Sequence, residues 1–472
     1  MCIRDRCMGP PSTGHGASNP RPVKDWLRWA ILWAAFLGTW QAVKQNMPQP
    51  PWSVDLRQPE ATPMPTLSLR PLPQNLTRPT SVRADFESMA IRDSVPLPRS
   101  WKFQGSAKAW NDLATFFSRL ESCDQNRIDI YHWGDSQIEG DRITGHLRAE
   151  MQKRFGGRGP GWVLPRTPAP SFATKQVLRG SIERSAGFGR RRDTSALRLP
   201  FLAINRFRDS ASWLVNANPI GHRTNRGWTR SRIWSSAAST WSLAMEDSAN
   251  LIPSMSNRGD QEGLWTWQHA GSSSGIELTG TTNALMGAEF STTHGVFVHN
   301  LPMRGGSGTL FDYVSEGDWE KLRAWTRPGL VILQFGGNAV PSLSSVKHAE
   351  RYARRVAENI RHIRQRWPGV AVVFIGPSDM GDADHIYPQL TACNEALRTE
   401  VQKAGALMWD LREVMGGPGS MAHWMERGWA GEDAVHFSPR GAKEAGKRLW
   451  QALDHEHWHW QSTRRRPQLL AP

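Results

Sequence analysis

Residues 127–155 read RIDIYHWGDSQIEGDRITGHLRAEMQKRF, and this stretch decides the fold. RIDIYHW (127–133) has the length and apolar content of a strand. Ile143, Leu147, Met151 and Phe155 then recur every four residues, laying one apolar stripe along a helix. The turn between the two holds Gly134, Asp135 and Ser136. A strand that passes into a helix through a short turn is the repeating unit of a parallel sheet covered on both faces. Ser136 is thereby expected at the carboxyl edge of the sheet, its hydroxyl exposed beside helix N-terminal amides.

The same rhythm returns downstream. LVILQF (330–335) and VAVVFI (370–375) are continuous apolar runs bounded by glycine or proline, as central strands buried on both faces should be. Between them 346–367 reads as a long, Arg-rich amphipathic helix, and ALMW (406–409) is a short strand after a helix around 390–401. The expected architecture is a three-layer α/β/α, flavodoxin-like parallel sheet built from residues 101–170 and 296–458. Residues 171–295 break the rhythm: they are rich in Ser, Thr, Trp, Arg and Gly, with strand-like pieces SRIW, STWSLAM and GIELTG. They are read as an inserted β-rich module, since structureless loops of this length are uncommon inside compact domains.

At the N-terminus, DWLRWAILWAAFLGTWQAV (25–43) carries no charge from Trp29 to Val43 and has Lys24 and Arg28 on its N-terminal side. Basic residues before an apolar run keep the preceding segment in the cytoplasm. This predicts a cytoplasmic tail (1–24), a transmembrane helix (25–43), a Pro-rich linker (44–100) and everything beyond exported to the periplasmic side of a bacterial inner membrane. The run is short for a span, so a cleaved signal and a buried soluble helix stay open. The opening MCIRDR is set aside as a start foreign to the fold, with Met8 an alternative first residue. A net charge of +15 favours anionic surroundings, whether lipid headgroups, an envelope polymer or nucleic acid; export removes the last. Four cysteines, of which Cys2 and Cys7 precede Met8, spell neither a disulfide framework nor a Cys zinc site.

Three further stretches carry chemistry. In Asp433-Ala-Val-His436, followed by FSPRGAKEAGKRLW, Ser438 and Pro439 look like the cap and first turn of a terminal helix. The acid and imidazole then share a loop, where the carboxylate fixes the ring tautomer while its other nitrogen faces a serine. QFGGNAV places Asn338 after a buried strand and two glycines, and NLPMRGGSG places Gly305 and Gly306 in a loop after another apolar strand. Singly, each is ordinary loop composition. Two other features read as bland: DHEHWHW (454–460) as a solvated helix end, with residues 459–472 a basic tail, and Asp382, Asp384 and His385 as a loop.

Taken together and in order, HWGDSQIEGD, NLPMRGG, LQFGGNAV and DAVHFSPRGA resemble the blocks of the SGNH (GDSL-like) hydrolases. The resemblance implies Ser136 as nucleophile, Asp433 and His436 completing the triad, and Ser136, Gly305 and Asn338 supplying the oxyanion hole, with no metal or cofactor. The β-rich insertion and WDLREVMGGPGSMAHW (409–424) are similar to the subgroup containing peptidoglycan O-acetylesterases. Its implied partner is an O-acylated envelope glycan. Pro302 and Arg304 depart from the family's glycine and asparagine, and Ala339 from its frequent aspartate. An O-acyltransferase on the same residues and a non-catalytic glycan-binding scaffold are the alternatives.

Overall fold

The computed structural model describes residues 97–469 apart from 190, 246–253, 258–261 and 383–385. The expected tail, transmembrane helix and nearly all of the linker lie outside these residues, as do Asp384 and His385. Among the described residues no helix is long and apolar enough to cross a membrane. The helices are α1 (Ala107–Leu120), α2 (Thr144–Phe155), α3 (Glu316–Trp325), α4 (Val346–Arg366), α5 (Leu390–Lys403), α6 (Leu411–Met415), α7 (Ser420–Glu426) and α8 (Pro439–Leu469). The strands before residue 245 are β1 (Arg127–Gly134), β2 (Gly161–Val163), β3 (Thr174–Ala186), β4 (Ala203–Ala217), β5 (Trp228–Ser236) and β6 (Thr240–Met245). Those after it are β7 (Ser254–Asn257), β8 (Glu262–Ser273), β9 (Gly275–Ser291), β10 (Gly295–Pro302), β11 (Pro328–Gln334), β12 (Ala371–Ile375) and β13 (Leu407–Trp409).

β10, β1, β11, β12 and β13 form a five-stranded sheet in that spatial order, and every neighbouring pair is parallel. Numbered by their sequence within this sheet, the strands run 2-1-3-4-5. The chain therefore leaves β1 toward one edge and returns to its other side with β11. That reversal opens a crevice past the carboxyl ends of β1 and β11, where ligands bind in doubly wound sheets. β11 and β12 are buried at every position, which explains their unbroken apolar sequence. In α4, Ala349, Ala353, Val356, Ile360 and Ile363 face the core, and Ser345 caps the first turn by accepting from the His348 amide.

The remaining strands form an eight-stranded antiparallel sheet around the long β9, which pairs with β4 and β5 and also with β2 and β6. Compositional reading put the start of this region at residue 171, but β2, at 161–163, already belongs to its sheet. At the far end β9 passes within a few residues into β10, the edge strand of the parallel sheet. Trp133 on β1 donates its indole N–H to the Pro200 carbonyl at 2.7 Å, and Trp234 on β5 meets Trp325 on α3 edge-on at 4.4 Å between ring centres. One buried apolar cluster runs through both sheets, and a second lies within the antiparallel one. The boundaries at 170/171 and 295/296 therefore cut a shared core.

A basic tail starting at 459 is corrected in the same way, because α8 continues unbroken to Leu469. His457 is buried, with ring contacts to Phe117, Phe155 and Trp460 at 5.1–5.9 Å. Spacing could not show that this helix end lies on α1 and α2.

Candidate active site

β1 ends at Gly134, and Asp135 starts a tight turn by accepting from the Gln137 amide at 2.9 Å. This turn sets Ser136 at the switch point between β1 and β11. From the other side of the molecule, the loop before α8 brings His436 within 2.8 Å of it, Nε2 to Oγ. His436 Nδ1 lies 2.7 Å from Asp433 Oδ2. With that nitrogen donating to the carboxylate, Nε2 is left to accept from the serine hydroxyl.

Asp433 is fixed by its own loop, since Oδ1 accepts the amides of Val435 at 3.0 Å and His436 at 2.9 Å. Partial burial pushes its carboxyl upward, but those amides and the imidazole outweigh it and hold the group below the usual carboxylate range. Asp433 therefore stays ionised while it orients the ring. Asp135 is the opposite case. Burial pushes its carboxyl up to about 6, against the pull of the Gln137 amide, His436 and Arg142.

Gly305 and Asn338 line the same cleft as Ser136, Asp433 and His436, so all five sequence-identified positions converge. Asn338 donates one Nδ2 hydrogen to the Gly306 carbonyl at 3.1 Å, which fixes its carboxamide and leaves the second hydrogen for another acceptor. The loop before it requires glycine at 336: φ is +133°, and a Cβ there would stand 2.6 Å from Pro377 Cδ. Arg304, the departure in block II, has a partner. Its guanidinium forks onto the buried Glu139 with Nε 2.8–2.9 Å from both carboxylate oxygens, forming one wall of the cleft.

Two residues of this site carried no separate signal in the sequence. Gln137 donates to the Val435 carbonyl at 2.6 Å and accepts from the Phe437 amide at 3.2 Å, bracketing His436 on both sides. Arg142 donates to the carbonyls of Ser136 at 2.6 Å and Phe437 at 2.8 Å. Both fasten the serine turn to the histidine loop, some 300 residues away in sequence. Only the folded chain makes them neighbours.

The cleft on one side of Ser136 has a volume of about 720 Å³. A smaller pocket of about 160 Å³ opens on the other side, lined by Asn338, Met380, Tyr387 and His436. The arrangement suits acyl transfer: a hydroxyl, a base with an oriented tautomer, and a loop carboxamide around a reacting centre.

The sequence model of the GDSL-like lipase/acylhydrolase family matches residues 268–444, which span Gly305, Asn338, Asp433 and His436; Ser136 precedes the matched residues. No curated protein gives a match. Among solved structures, the chain is similar to one described as "Peptidoglycan O-acetylesterase in action". The identity is 20%, 75% of this chain and 99% of that one are covered, and the TM-score is 0.60, a likeness of fold. A carbohydrate esterase family two enzyme with its carbohydrate-binding domain from Myceliophthora fergusii is 11% identical. It covers 58% of this chain and 99% of its own, with a TM-score of 0.28. The ordered blocks, the parallel sheet and the matched residues agree: residues 268–444 match the GDSL-like lipase/acylhydrolase family, and the chain is a carboxylic ester hydrolase.

Proposed function

We propose that the enzyme removes O-acetyl groups from an envelope polysaccharide such as peptidoglycan through an acyl-enzyme on Ser136. The observation that carries this reading is the unbroken hydrogen-bonded relay from Ser136 through His436 to Asp433 between a small pocket and a large cleft. His436 takes the serine proton as Oγ attacks the ester carbonyl. Asp433 stabilises the resulting imidazolium, and the Asn338 carboxamide and the backbone N–H groups of Ser136 and Gly305 offset the charge that collects on the carbonyl oxygen. The imidazolium then protonates the departing sugar oxygen, which leaves as the free hydroxyl while the acyl group stays on Ser136. Water, deprotonated by the same ring, attacks the acyl carbon, the bond to Ser136 Oγ breaks, and the ring returns the proton to Oγ as the acid leaves. The 160 Å³ pocket suits a short acyl group, and the larger cleft the alcohol portion.

The likeness to the peptidoglycan O-acetylesterase structure supports the choice of substrate. The apolar run after Lys24 and Arg28 supports placing the enzyme on the outer side of a bacterial inner membrane, and the +15 charge suits an anionic polymer there. The test is acetate release from p-nitrophenyl acetate and from O-acetylated peptidoglycan by the full chain and by Ser136→Ala. Wild type should act on both, and the variant should lose activity by on the order of 10⁴-fold with an unchanged melting temperature. A folded Ser136→Ala enzyme that keeps its activity refutes the triad. Turnover of the small ester alone refutes the polysaccharide.

A further inference from the structure

Among the described residues only six large apolar side chains are exposed, and two of them, Phe172 (42%) and Ile220 (86%), line the active-site cleft. Their backbones are tied down. The Phe172 amide donates to Gly140, in the serine turn, at 2.8 Å; the Asn218 amide donates to Ala173 at 2.9 Å; and the Ile220 amide donates to Asn218 Oδ1 at 3.2 Å. Anchored segments that hold apolar groups out into water give up burial, and such contiguous exposure marks a binding surface. The preorganisation also lowers the cost of ordering the surface when a ligand arrives.

Beyond this lip lies a second chamber of about 380 Å³, which shares Arg142, Phe172, Ile220 and Pro439 with the cleft. The two spaces thus meet along one wall. An acetyl group fills a small part of them, and each falls in the range of roughly 300–1,000 Å³ typical of sites for larger ligands. The chamber's other walls are polar, with His146, His222, Asn225 and Lys443. Asn225 is buried, and neither its Nδ2 nor its Oδ1 has a protein partner; His146 Nδ1 is equally unmatched. Buried polar atoms without a protein partner call for a group that completes them, an ordered water or a ligand's hydroxyl. A lipid chain would need an apolar tunnel. An apolar lip leading to a polar chamber instead matches a sugar, whose ring has apolar C–H faces and a polar rim of hydroxyl and acetamido groups.

We infer that Phe172 and Ile220 form a saccharide-binding lip that passes a neighbouring sugar of the O-acylated chain into the second chamber, making the enzyme selective for oligomers over single sugars. This rests on the esterase reading above and specifies its substrate by chain length.

The experiment measures kcat/KM of the full chain on O-acetylated chitotetraose, O-acetylated N-acetylglucosamine and p-nitrophenyl acetate, for wild type, Phe172→Ala and Ile220→Asp. Wild type should favour the tetramer over the monomer by about tenfold or more, chiefly through KM, and each substitution should erase most of that preference. The readout is a ratio within one preparation, so partial loss of folded enzyme cancels. No length preference in wild type, or a preference that both variants keep, overturns the lip. Failure of wild type to hydrolyse p-nitrophenyl acetate is a different result and refutes the esterase reading on which the lip depends.

Discussion

Gln137 spends both ends of its carboxamide on the backbone at either side of His436, accepting at Phe437 and donating at Val435. It hydrogen-bonds neither the Ser136 hydroxyl nor the imidazole ring, so its action is on position. Gln137→Met keeps the volume and removes both bonds, leaving His436 free to drift from the 2.8 Å contact with Ser136. Misplacement on the ångström scale costs about 10²-fold in rate. The variant should therefore lose between about 10- and 100-fold in kcat on p-nitrophenyl acetate with little change in KM. Steady-state kinetics beside a melting curve checks this. A purely structural role would lower the melting temperature and the amount of active enzyme but leave kcat per active site, from burst titration, unchanged.

At the scale of elements, the site is a junction between the β1 turn and the loop that precedes α8. That loop is shaped from its own backbone: Gly431 donates to the His436 carbonyl at 2.8 Å, and Ser438 donates to the Trp429 carbonyl at 2.9 Å. α8 presses on it at Gly441, where a Cβ would stand 1.8 Å from the Trp429 carbonyl oxygen. Intrinsic propensity favours alanine over glycine in a helix by about 1 kcal/mol. Gly441→Ala should nevertheless lower both the melting temperature and kcat, because the first turn of α8 or the Trp429 backbone must move and the loop carrying His436 moves with it. Thermal denaturation and ester turnover on the same sample decide. An alanine variant as stable as wild type would show that the approach is relieved without disturbing the loop.

Across the whole molecule the two sheets are joined by buried charge as well as by apolar contact. Glu289 on β9 is wholly buried and accepts from Arg127 on β1 at 2.5 Å and from Arg232 on β5, whose Nε lies at 2.7 Å. Arg127 also meets Asp129, which accepts from His299 at 2.9 Å and Thr326 at 2.8 Å. Burial alone would raise the Glu289 carboxyl. The guanidinium groups of Arg127, Arg232 and Arg230 outweigh it and hold the group well below its ordinary 4.5. Glu289→Gln leaves those cations buried beside a neutral amide and should cost roughly 3–5 kcal/mol. The pH dependence has a definite sign. Glu289 is ionised in the folded state to lower pH than in the unfolded state, so its contribution is complete above about pH 4.5 and falls as pH drops below it. The gap in unfolding free energy between wild type and Glu289→Gln should be widest near neutrality and narrow as the pH is lowered below 4.5. A gap independent of pH would mean that lost packing, not lost charge, explains the variant.

Sequence by itself determined the parallel core and nominated five positions that the fold brings to one cleft. β11 and β12 are buried on both faces, so their apolar runs appear as unbroken strings, and the period of four in α2 declares its buried stripe. Ser136, Asp433, His436, Gly305 and Asn338 could be nominated because tight turns and loop ends restrict composition locally and occur in a recognisable order. The tertiary structure decided what depends on distant neighbours. Gln137 and Arg142 are ordinary polar residues until folding brings the loop around His436 against them. Residues 171–295 read by composition as a module apart, yet Trp133, Trp234 and Glu289 bind the antiparallel sheet to the hydrolase core. The same holds for His457, which spacing alone placed in water and packing against Phe117 and Phe155 placed in the interior. Burial of such residues is a property of which surfaces meet, and periodicity along one segment records only that the segment has a face to bury.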